Sequence, residues 1–182
     1  MILKVLDTDG TPYHGGRGAW SLPTKNADGT WTPGDWMPEI ANPVLCECGY
    51  HGCEDAQVIA WLGPTLYEME ARGTTIRGDD KLVASEARLL RRIETWNDRT
   101  ARLFAVWCAR QALALVPHPD PRSIAACDVA ERFANGQATR EELAAAGAAA
   151  GAAAGAAAWA AAWAAAWAAQ WSRLREMLEL TQ

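Results

Sequence analysis

The sequence predicts an α+β protein: a small mixed β-rich amino-terminal domain, then a helical hairpin and a long Ala/Gly/Trp helix. Three observations carry this. From Ala144 to Ala169 the chain holds 20 Ala, three Gly and three Trp and nothing else, and alanine is the strongest helix former. Residues 21–44 are dense in Pro, Gly and Asp, with Trp20, Trp31 and Trp36 at hand, a composition of loops and short strands whose indoles supply buried area. From Asn97 onward apolar residues recur at helical spacing. The junction falls near Thr95, giving a mixed domain over residues 1–95 and a helical module over 96–182.

The elements follow in order. Ile2 to Leu6 is a short apolar strand, and Asp7-Thr8-Asp9-Gly10 is a turn. Glu54 to Leu62 reads as a short helix stopped by Gly63-Pro64. Leu66 to Ala71 alternates as a strand does and ends at Arg72-Gly73, while Lys81 to Ile93 is helical by local propensity. In the first long helix Leu103, Val106, Trp107 and Leu113 share a face widened by Phe104, and Pro117 and Pro119 stop it. Asp120 caps the next helix with Pro121 at its first position. Ala126, Val129, Ala130 and Phe133 form its buried stripe. Asn135-Gly136 ends it, and Thr139 with Glu142 makes a Thr-x-x-Glu capping box for a third helix.

That third helix has a strict period of four. Gly147, Gly151 and Gly155 hold the marked position first, then Trp159, Trp163, Trp167 and Trp171. A step of four overshoots a helical turn by about 40°, so neither row is a straight stripe. Run from Leu143 to Leu180 the helix would measure about 60 Å. That is too long for one small domain, so part must be covered by a partner, folded back at the glycines, or exposed. The glycine half is expected to pack on the helices at 97–116 and 121–134, because small residues let backbones approach. For the indoles two readings stand side by side: a partner-binding ridge, or a core closed over Trp20, Trp31 or Trp36.

Bulk properties exclude several classes. A formal charge of −5 with no Lys/Arg block argues against nucleic-acid binding. Alanine is only weakly apolar, and Gln170, Arg173, Arg175 and Glu176 follow the tract at once, which argues against a membrane span. Five Cys without an export signal read as reduced thiols of a cytoplasmic protein.

Candidate chemistry is sparse. Cys46, Cys48, His51 and Cys53 are four potential zinc ligands within eight residues. Zinc sites usually draw on two well-spaced pairs, and no second pair exists downstream. The preferred reading is structural: Gly49 and Gly52 make a turn, Tyr50 and Cys53 pack, and His51 hydrogen-bonds a backbone group. A nucleophile pair from Cys53 or Cys108 with His14 or His51 lacks any feature that lowers a thiol pKa. There is no Walker loop, no G-x-S-x-G and no His-Glu-x-x-His. No catalytic, cofactor-binding or metal-binding residue is therefore expected.

Several segments carry resemblances. Cys48 to Cys53, Leu66 to Gly73, Asp80 to Ser85 and Leu89 to Ile93 together resemble a domain of unknown function common in phage and bacterial proteins. That resemblance implies a strand over 81–93, which we follow against local propensity. Arg102 to Arg110 with Val129 to Leu143 is similar to a bacterial Ala-rich helical module, some relatives of which look like immunity proteins that neutralise a toxin. Tyr13-His14-Gly15, Gly49-Tyr50-His51 and the strand ending in Gly73 also resemble the ADP-ribosyltransferase core. There the resemblance implies a nicotinamide site, with Glu68, Glu70 and Glu86 the only candidates for its acid. The sequence thus predicts a non-enzymatic interaction protein of phage or prophage type, binding a protein partner or itself through the tail, in an immunity or anti-defence role. The alternative is an inactive ADP-ribosyltransferase-like scaffold.

Overall fold

A computed structural model describes residues 1–153 and 163–179. By its internal contacts the chain divides into two units, Met1–Glu94 and Thr95–Gln182. The architecture is α+β, a small strand barrel in the first unit and helices in the second.

The barrel is built from four antiparallel strands, β1 (Ile2–Leu6), β4 (Tyr50–Glu54), β5 (Thr65–Arg77) and β6 (Leu82–Arg92), closed in the order β1-β4-β6-β5. A separate two-stranded hairpin, β2 (Thr24–Lys25) and β3 (Trp31–Thr32), lies in the loop-rich stretch. β1 pairs on one side with β5, Ile2 opposite Met69 and Leu6 opposite Thr65, and on the other with β4, Leu3 opposite Cys53. Closure removes the open edges a four-stranded sheet would otherwise present. β4 pairs only with the start of β6, Tyr50 opposite Ala84 and Gly52 opposite Leu82. Beyond it the extended segment 34–40 takes over: the amides of Gly34, Met37 and Ile40 donate to the carbonyls of Leu89, Ala87 and Ser85. Leu3, Leu6, Leu66, Leu82, Val83 and Leu89 are fully buried inside.

The strand followed over 81–93 is present, and other expectations change. β6 is a strand throughout, because the alternate residues Val83, Ser85, Ala87 and Leu89 are buried, which outweighs the helix propensity of Glu86-Ala87-Arg88. Gly73 does not end β5. The strand continues to Arg77 through a register shift between Arg72 and Thr75. Gly73 sits at φ +71°, and a Cβ there would lie 2.2 Å from the Ser85 hydroxyl, which accepts a hydrogen bond from the Thr74 amide. The glycine marks a bulge rather than a stop. The stretch read as a helix from Glu54 is a 3-10 helix, Asp55–Trp61.

The helical unit contains α1 (Asp98–Ala114), α2 (Pro121–Ala134), α3 (Arg140–Ala153) and α4 (Trp163–Leu178). Its ends at Asp120, Gly136 and Thr139 are marked as the sequence implies, and Asn97 adds a further cap. The Asn97 side chain accepts from the amides of Arg99 and Thr100, and Asp120 accepts from that of Arg122. Gln137 donates to the Arg132 carbonyl and Gly136 to that of Phe133, closing α2 in a Schellman motif. Thr139 and Glu142 exchange both bonds of the capping box, at 2.7 and 3.2 Å.

The tail is not one straight helix. Such a helix from Arg140 to Leu178 would separate its ends by about 57 Å. Both ends instead lie beside the start of α1: Arg140 and Leu143 share a cleft with Asp98 and Arg102, and the Leu178 carbonyl accepts from the Thr95 hydroxyl at 2.8 Å. α3 therefore starts from, and α4 returns to, the start of α1. The 154–162 connection lies outside the described residues. Alanine periodicity reports helix propensity but not continuity. The end of α4 is held by the Thr95 hydroxyl on the Leu178 carbonyl, and Leu174 and Leu178 are buried.

Candidate functional site

The Cys/His turn belongs to the barrel. Val44 and Cys48 exchange backbone hydrogen bonds at 2.8 and 3.0 Å, closing a loop over Leu45, Cys46 and Glu47. Cys46 takes φ +67°, a left-handed conformation that side chains disfavour. The ring of His51, on β4, holds it there: Nε2 accepts from the Cys46 amide at 2.9 Å, which places the ring proton on Nδ1. Burial, then the nearby Lys4 and Lys81 ammonium groups, hold the His51 pKa below the ordinary value and keep this acceptor neutral. Gly49 adopts φ +116°, with Val83 where a Cβ would be. Tyr50 donates to the Pro38 carbonyl at 2.6 Å and stacks edgewise on Trp20. Gly52 lies within β4, not in a turn.

The four potential ligands do not converge. Cys46 and Cys48 are exposed, the Cys48 thiol points at the Asn42 carbonyl, and Cys53 is buried opposite Leu3. Among the described residues no three His, Cys, Asp or Glu side chains are placed to hold a metal ion. Burial pushes the Cys53 thiol up to about 11 and raises that of Cys108, so neither is poised as a thiolate nucleophile at neutral pH.

The residues of the nicotinamide-site resemblance have other partners. Glu68 pairs with Arg91, Glu70 with Arg88 and Glu86 with Arg72, at 2.6–2.7 Å, in a ladder across β5 and β6. Trp36 covers that ladder, with Arg72 at 3.9 Å and Arg88 at 4.8 Å from its ring. His14 meets the Trp61 carbonyl and packs edgewise against Tyr13 and Trp61. A group absent from the sequence reading is Lys4. It donates to the His51 carbonyl at 2.9 Å and lies over Trp20, and burial lowers its pKa to about 8. A lone Lys inside Ile2–Leu6 is the signal that would have found it.

In the tail, the seam of α3 on α2 runs through half-buried Leu143, Ala146 and Ala150. Gly147 and Gly151, expected in that seam, are exposed, and a Cβ at either would meet nothing within 4 Å. The drift of about 40° per four-residue step carries the glycine row off the seam. Gly155 and Trp159 lie outside the described residues. On α4 the positions 163, 167, 171, 174 and 178 fall within an arc of about 80°. Leu174 and Leu178 are buried and Trp171 is half-buried, with Arg175 over its ring. Among the described residues no helix is long and apolar enough to cross a membrane.

No family model matches the chain, and no curated protein or solved structure is similar to it.

Proposed function

We propose that this chain is a non-enzymatic interaction protein that binds a protein partner, or a second copy of itself, through its alanine-rich tail. The observation that carries the reading is the open glycine face of α3. After Glu142 no charged residue interrupts α3, and Ala144, Ala145, Gly147, Ala148, Ala149 and Gly151 are all exposed. Two glycines four apart, with nothing above them, form a shallow groove that a second helix can approach closely. An uncharged face of this extent on a charged protein marks a contact surface. The resemblances of the amino-terminal and helical segments support a phage or prophage setting for such a partner, with immunity or anti-defence as the role.

The test is sedimentation of the full chain beside a Gly147→Leu/Gly151→Leu variant, with partner capture as a second arm. Both positions have room, so the variant should keep its melting temperature while losing association. Association that survives the two leucines would remove α3 as the contact.

A further inference from the structure

The helical unit handles its arginines in two ways. Arg110 pairs with Asp128 and Glu131, Arg122 with Asp120, Arg132 with Glu142 and Arg173 with Glu176. Arg99, Arg102 and Arg140 have no carboxylate partner among the described residues. Arg99 donates to the Asn135 amide oxygen at 2.8 Å, and Arg102 lies 4.9 Å over the Phe133 ring. These three line one cleft of about 350 Å³ between the starts of α1 and α3 and the end of α2, with Asp98, Phe133 and Leu143. In a chain of formal charge −5, three guanidinium groups with no carboxylate partner among the described residues share one cleft, while Arg175, over the Trp171 ring, lies apart from it.

We infer that this cleft binds a compact, multiply charged anion of the phosphate class. A guanidinium presents its N–H groups as a planar fork that matches phosphate oxygens two at a time. Phe133 holds one fork flat and Leu143 excludes water from one wall. The first amides of α1 are already taken by Asn97, so the guanidinium groups rather than a helix terminus supply the donors. The volume suits a small ligand. Asp98 is the single carboxylate on the lining and opposes the anion.

Isothermal titration of the full chain with inorganic pyrophosphate tests this, with citrate as a carboxylate anion of similar charge. Saturable binding is expected, weakened about tenfold or more in Arg102→Gln and in Arg140→Gln, since each removes charge-assisted hydrogen bonds. Asp98→Asn should tighten it. Arg122→Gln, outside the cleft, should leave it unchanged. Arg140 is exposed and makes no contact that the fold needs, so its variant remains informative even where Arg102→Gln disturbs the Phe133 packing. Absence of saturable binding, equal affinity in Arg140→Gln, or equal weakening in Arg122→Gln would overturn the site. Citrate binding as tight as pyrophosphate would overturn the phosphate assignment.

Discussion

The barrel and the helical unit solve the same stability problem differently. Of the ten largest fully buried side chains among the described residues, nine belong to the barrel unit and one, Leu174, to the helical unit. The barrel gathers Leu6, Trp20, Tyr67, Met69, Leu82, Ala87 and Leu89 into one cluster and covers its outer ion-pair ladder with Trp36. Among the described residues the helical unit buries Trp96, Phe104, Val106, Cys127, Leu174 and Leu178, and the seam of α3 is mostly alanine. End caps and surface ion pairs each add a little. One unit closes a core of large residues; the other leans in part on small ones.

The sharpest test of that contrast is a pair of truncations. Leu89→Ala, in the middle of the barrel core, should destabilise by about 2–5 kcal/mol. Leu103→Ala, half-buried on α1, should cost well under that. Chemical denaturation of each variant measures both, and equal losses would break the comparison.

A smaller effect is expected at His51. Replacing it with Ala leaves the Cys46 amide without its acceptor, a loss of about 1–3 kcal/mol for a buried bond and less for this half-buried one. The pH dependence has a definite sign. Because the folded pKa is lowered, the unfolded chain takes up the proton first, so stability is fully present above the ordinary value of 6.5 and is lost as pH falls below it. Denaturation midpoints between pH 7 and 5 should fall in the parent and flatten in His51→Gln, which cannot be protonated. Lys4, which faces the ring and has its pKa lowered by burial to about 8, stays largely cationic across that window.

The smallest effect has the opposite direction. Gly147→Ala or Gly151→Ala should stabilise α3 by up to about 1 kcal/mol each, since nothing occupies the space and alanine is the better helix former. A fall in melting temperature would place the glycines in a close contact and erase the distinction between the units.

Local features were legible in advance. The turn after Leu6, the caps at Asp120 and Thr139, and the Gly136 stop each depend on a few neighbouring residues, and each is where the sequence implies. His51 on a backbone amide is likewise local. What was not legible depends on residues far apart. Gly73 reads as a terminator until Ser85 is known to stand opposite it. The glycine row reads as a seam until the helical drift is set against Leu143, Ala146 and Ala150. The return of α4 to the start of α1 requires the site where Leu178 docks. Arg99, Arg102 and Arg140 come from three separate helix ends and share no motif; only folding makes them neighbours.

The hydrogen bond from the Thr95 hydroxyl to the Leu178 carbonyl has a consequence for how such a chain is assembled. The first and last described turns of the helical unit meet at one point, so its entrance and exit are adjacent. A segment with that property behaves as a cassette: it can be spliced into a loop of another protein, or cut out of this one, without stretching the flanking chain across a gap. The same adjacency makes the unit a natural subject for circular permutation, with Gly136 a suitable place to open new ends.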